Sequence, residues 1–176
     1  MNNIKTLIQT ARGNNPQTAE FKRGNKTYYA RIMASGRFTV SVDGRRVSAQ
    51  TAQDELNKQN NATYKHRGEN YCVKLTEKCN GISEISVKGV RWYDNIPNCY
   101  HKIYVSALVN GRWVELGGYA DMRAGFDSHY LVTAGEWLIE NGYIDAPDDA
   151  VLCDWVVREA FNITHYAQDV KRKKDM

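Results

Sequence analysis

An Asn-Gly pair at positions 110–111, set between two runs of alternating aromatic and β-branched residues, constrains this chain more than any other short feature. The surrounding stretch from Tyr100 to Ile144 reads YHKIYVSALVNGRWVELGGY followed by ADMRAGFDSHYLVTAGEWLIENGYI. Asn-Gly tolerates the two positive φ angles of a type I′ turn, the turn whose twist matches paired strands, so the first part is a β-hairpin. The second part has the apolar spacing of a helix with both ends marked. Asp127 or Ser128 is placed to cap its start, Thr133 and Glu136 have capping-box spacing deeper in, and Gly142 ends it. Tyr143 and Ile144 then fold back onto the last turn.

The flanking segments extend the same pattern. Residues 2–12 carry Ile4, Leu7 and Ile8 at helical spacing and stop at Gly13-Asn14-Asn15-Pro16, which predicts a short helix covering a sheet edge or face. Tyr28, Ala30 and Ile32, then Phe38, Val40 and Val42, alternate as two strands joined at Ser35-Gly36. Asp43-Gly44 marks a further turn, and Ser48 caps a helix running to about Lys58. Residues 62–97 continue as strands, with Tyr71, Val73 and Leu75 in one and Ile85, Val87, Val90 and Trp92 in another, where Gly89 has the place of a bulge. Beyond Pro147, with Asp148 and Asp149 suited to a first turn, Leu152, Val156, Ala160, Ile163, Ala167 and Val170 step by threes and fours. That spacing predicts one long C-terminal helix, with Asn162-Ile163-Thr164 as its one weak point, ending in Lys171-Arg172-Lys173-Lys174.

These elements define an α+β fold: an antiparallel sheet built from two hairpin-plus-helix units and a central meander, with helices packed mainly on one face and a long helix at the C-terminus. The chain has the length of a single domain, residues 1–176, within which residues 1–61 form a basic strand-strand-helix unit and 62–176 a meander with two C-terminal helices. Tyr29 to Phe38 also aligns without gaps on Tyr104 to Trp113. Convergent turn chemistry explains ten positions as well as duplication does.

Composition matters chiefly through charge. The net charge of +4 is a sum of unlike halves: residues 1–91 hold 16 Lys and Arg against 7 Asp and Glu, and residues 92–176 hold 8 against 13. A hydrophobic content of 42% supports a real core, and no apolar run approaches the roughly 20 residues of a membrane span. With no charged-then-apolar leader, the expected location is cytoplasmic, with no membrane partner. The four cysteines are then reduced thiols. Cys72, Cys79, Cys99 and His101 lack the paired two-to-four-residue spacing of a structural zinc site, so no metal and no cofactor are expected.

The strongest functional signal is seven cations between Glu20 and Arg46: Lys22, Arg23, Lys26, Arg31, Arg37, Arg45 and Arg46, against two carboxylates. Arginines on a hairpin suit phosphate contacts, and a β-ribbon fits the major groove of DNA. The order of strands followed by a helix is similar in outline to small DNA-binding units such as the AP2-type and integrase arm-binding domains; the likeness is of outline, and no motif carries residues across. The leading expectation is therefore a non-enzymatic protein that binds DNA or RNA through this hairpin, with Tyr28 or Tyr29 in support. A solvated face that protects sheet edges would carry the same charges.

Two other readings stand beside it. From Trp92 to Val170 there are 12 Asp and Glu against 4 Lys and Arg, interspersed with tryptophan and tyrosine, the composition of a protein-binding surface. On it Glu140, Asp148, Asp149 and Asp154 would contact a protein partner. A small, charge-polarised, aromatic-rich chain without a catalytic motif resembles in style the accessory proteins of phages and mobile elements that occlude a host defence nuclease or nucleoprotein complex. The third reading is a metal-dependent nuclease or hydrolase using Asp121, Asp127, His129 and Glu136. Asp127 and Glu136 have simpler explanations as helix-terminal residues, and phosphate-loop, HExxH and nucleophile-elbow motifs are missing, so enzymatic activity stays open and a non-catalytic role is favoured.

Overall fold

In the computed structural model, which describes residues 4–13, 17–94, 98–147 and 150–176, the first third of the chain folds around its own apolar stripe. Helix α1 (Ile4–Gly13) buries Ile4, Leu7 and Ala11. Strands β1 (Thr18–Arg23), β2 (Lys26–Ile32), β3 (Phe38–Val42) and β4 (Arg45–Val47) follow in spatial order β1-β2-β3-β4, every pair antiparallel. Helix α2 (Ala49–Gln59) then buries Ala52 and Leu56. Ala19, Tyr28, Ala30, Val40 and Val42 alternate along their strands and pack with these two helices into one apolar cluster. Asp43 and Gly44 adopt φ of 49° and 76°, as a type I′ turn requires. Ser48 Oγ accepts the Thr51 N–H at 3.0 Å, so α2 starts on its expected cap.

The remaining strands form two more sheets. β5 (Asn61–His66) and β6 (Glu69–Leu75) pair with the short β11 (Ile144–Asp145) in the order β11-β6-β5. The larger sheet contains β7 (Ile82–Tyr93), β8 (Cys99–Val109), β9 (Arg112–Gly117), β10 (Arg123–Ala124) and β12 (Ile163–Val170), ordered β10-β8-β7-β12 with β9 also on β8. β7, β8 and β9 are the central meander, and Asn110 and Gly111 join the last two with φ of 50° and 78°. Helix α3 (His129–Glu140) lies across one face of this sheet. It ends in a Schellman motif: Gly142, at φ 68°, donates to Ile139 O, and Tyr143 donates to Leu138 O.

The mixed α+β class and antiparallel pairing hold, but the expected single sheet is three, and the long C-terminal helix is not formed. After a 3₁₀ turn at Val151–Cys153, α4 (Trp155–Ala160) has six residues, and β12 then runs parallel to β7 from Ile163↔Ile85 to Val170↔Trp92. The break is at Asn162, whose φ is 52°. Its side-chain amide donates to Ser83 O at 2.8 Å, and its carbonyl accepts the Ile85 N–H at 3.1 Å, which opens the parallel ladder. A helix cannot continue through a left-handed residue whose backbone is already committed to a strand.

Buried apolar residues fall into one cluster over residues 4–56 and another over 62–163. Arg23 ties them. It is 1% exposed, its Nη1 donates to Ile82 O at 2.9 Å, and its Nε donates to Asn60 Oδ1 at 3.2 Å. Among the described residues no helix is long and apolar enough to cross a membrane.

Candidate nucleic-acid interface

α1 and α2 pack against the face of the first sheet that carries Tyr28, Ala30, Val40 and Val42, and leave the other face open. The cross-strand register places Thr18, Arg31 and Thr39 in one row of that outer face and Glu20, Tyr29, Ser41 and Arg46 in the next. Lys22 lies opposite Thr27 in a third. Three such strands span roughly 10 Å, and the major groove of B-DNA is roughly 12 Å wide. Arg37 stands at one end of this face, in the turn where Met33 N–H donates to Arg37 O at 2.8 Å.

The seven cations therefore divide. Lys22, Arg31, Arg37 and Arg46 are exposed and form no ion pair among the described residues. Tyr29 stands between Glu20 and Ser41 with 38% of its surface exposed. Arg45, opposite Val42, is exposed on the edge strand but on the side where the helices pack. Lys26 is 3.3 Å from Asp43 and 4.0 Å from Glu55. The Asp43 carboxyl is held below its ordinary range, first by the Thr27 N–H that donates to it at 2.8 Å, with Lys26 and Arg45 adding to the effect. Arg23 is removed from the surface altogether; burial lowers its pKa, and its hydrogen bonds face inward. Sequence reasoning could count these charges but could not separate them, because facing depends on register.

Of the acidic candidates, the two that the structure describes have local partners. Glu140 accepts the Tyr119 hydroxyl, and Asp154 caps α4 by accepting the Val156 N–H at 2.8 Å. Asp148 and Asp149 lie outside the described residues. Large exposed apolar side chains do occur in this half, notably Phe126 and Trp155.

Of the residues considered for catalysis, Asp127 and Glu136 have structural partners. Asp127 is not a helix cap. Its carbonyl accepts from Arg91 Nη1 at 3.0 Å, while Arg91 also makes a two-pronged pair with Asp169 at 2.7 and 3.2 Å. Ser128 makes no capping side-chain bond, and Thr133 is buried against His101, with Oγ1 2.8 Å from Nε2. Burial, and then the neighbouring His129, push His101 down to about 4. Glu136 pairs with Arg123 at 3.0 Å, and the Arg123 guanidinium lies 4.0 Å over the Tyr119 ring. Cys79 Sγ donates to Tyr143 O at 3.1 Å, and no disulfide joins any of the four cysteines. Among the described residues no three His, Cys, Asp or Glu are grouped to hold a metal ion.

No family model matches the chain, and no curated protein or solved structure matches it significantly.

Proposed function

We propose that the protein binds nucleic acid without chemistry, through the outer face of its first sheet. The observation that carries this reading is the set of four exposed cations with no ion pair among the described residues, Lys22, Arg31, Arg37 and Arg46, on the sheet face that carries the exposed ring of Tyr29 and that no described helix covers. Structural cations here find carboxylates or carbonyls, as Lys26 and Arg23 do. These four have no such partner among the described residues and share one sheet face, and an arginine on a ridge of β-structure presents its fork of donors to phosphate oxygens.

Arg31, Arg37 and Arg46 would fix the backbone of the nucleic acid, with Lys22 as a fourth phosphate contact and Tyr29 packing against sugar or base. Replacing Arg31, Arg37 and Arg46 together by alanine is expected to weaken binding to a labelled DNA duplex at least about tenfold at about 50 mM salt. Arg45→Ala, on the helix-packed side, is expected to change it little. Wild-type affinity in the triple variant rejects the reading.

A further inference from the structure

Among the described residues, no helix covers the second face of the five-stranded sheet either. α3 lies against the face that holds His101, Ile103 and Val105 of β8 and Gly89 of β7, where the Tyr130 ring packs directly on the glycine. Side chains alternate along a strand, so the intervening residues point to the opposite face. Register across β12, β7 and β8 aligns these in three rows: Tyr166, Lys88 and Tyr104; Gln168, Val90 and Lys102; Val170, Trp92 and Tyr100. Tyr166 is 53% exposed and Tyr104 38%. Trp92 and Tyr100 are half-buried and stack on each other with ring centroids 5.5 Å apart.

The charges on this face are ordered along it. Lys88 sits between two exposed tyrosine rings, Lys102 lies in the next row, and neither forms an ion pair among the described residues. Val170, in the third row, leads directly into Lys171, Arg172, Lys173 and Lys174, all exposed, of which Arg172 is paired with Asp175. Among the described residues of these paired strands, the carboxylates on this face stand at the far end, Glu84 opposite Leu108 and Glu115 opposite Ser106. A protein-docking surface would need the rings but not the interleaved ammonium groups or the terminal cation run. A polymer of planar rings joined by phosphates uses both.

We propose that this face binds single-stranded nucleic acid. Bases stack on Tyr104 and Tyr166 and on the edge of the Trp92–Tyr100 pair, while Lys88, Lys102 and the 171–174 run receive the phosphates. The inference stands apart from the first sheet, although Thr18, Glu20 and Lys22 of that face and Glu84 and Leu108 of this one border the same cleft of about 710 Å³.

The test uses the full chain and three probes: a 20-nucleotide oligothymidylate, an abasic phosphodiester of equal length, and a duplex. Stacking predicts that the oligothymidylate quenches the protein's own tyrosine and tryptophan emission and binds at least about tenfold tighter than the abasic strand. Tyr104→Ala with Tyr166→Ala is expected to remove that preference and leave duplex binding unchanged. Tyr104→Leu with Tyr166→Leu, which keeps apolar bulk, gives the same result if the alanine variant fails to fold. Equal affinity for abasic and base-bearing strands, absence of quenching, or no single-strand binding at about 50 mM salt each overturns the proposal, the last leaving the face to a protein partner. Failure of the Arg31, Arg37 and Arg46 variant to lose duplex affinity would count against the first sheet alone.

Discussion

Single residues decide which charges and which protons matter. Arg23 looks from its sequence neighbours like one more phosphate ligand, yet it is a buried strut between the two apolar clusters. Arg23→Met is expected to lower unfolding stability by about 1–3 kcal/mol, because Ile82 O and Asn60 lose charge-assisted bonds in a dry site. Urea denaturation measures that loss, and the salt dependence of nucleic-acid binding should not change. His101 gives a pH dependence of definite sign. Its folded pKa of about 4 lies below the 6.5 of an unperturbed histidine, so the unfolded chain binds the proton more readily between those values. Its stabilising contribution is therefore complete above about pH 6.5 and is lost as pH falls toward about 4, on the order of 3 kcal/mol. A urea midpoint that falls over this window in the wild type, and falls less in His101→Asn, is the expected result.

At the scale of elements, local signals were legible and non-local ones were not. Asn110-Gly111, Asp43-Gly44 and Gly142 act through their own backbone and Ser48 through its hydroxyl three residues on, and each does in the structure what its chemistry demands. β12 has no such signal. It exists because β7 offers a parallel edge nearly 80 residues earlier in the chain, and its three-and-four apolar spacing reflects neither face, since Tyr166 and Ala167 are both exposed. β1 was missed for a related reason: only Ala19 and Phe21 alternate, and pairing with β2 completes the case. The likeness between the 29–38 and 104–113 hairpins also dissolves on inspection of the turns. The first closes over residues 33–37 with only Gly36 at positive φ, and the second is a two-residue turn with both residues at positive φ. Close packing yields a prediction here. A Cβ at Gly89 would lie 2.6 Å from Tyr130 ring carbons, so Gly89→Ala is expected to cost about 1–3 kcal/mol by displacing α3 from the sheet. Pairing it with Tyr130→Ala should be clearly less than additive in urea denaturation.

The whole molecule presents two open sheet faces of different chemistry. The first is polar, with arginines around one tyrosine, and suits the phosphates of a backbone. The second interleaves tyrosine and lysine and suits unpaired bases. The candidate cations were visible in the sequence; their sorting into outer face, helix side, ion pair and buried strut was not, because it needs the register of four strands at once. The excess of positive charge over residues 1–91 becomes meaningful only after that sorting, when four of the seven hairpin cations are left on the outer face with no ion pair among the described residues.

The most direct measurement of this account is the salt dependence of duplex DNA binding, taken as the slope of log affinity against log salt concentration for the wild type and for the Arg31, Arg37 and Arg46 triple alanine variant. Four phosphate contacts predict a wild-type slope of roughly −3.6, and loss of three of them predicts a variant slope shallower by roughly 2.7. Parallel slopes, or no duplex binding by the wild type at low salt, would contradict the assignment of the first sheet as the nucleic-acid interface.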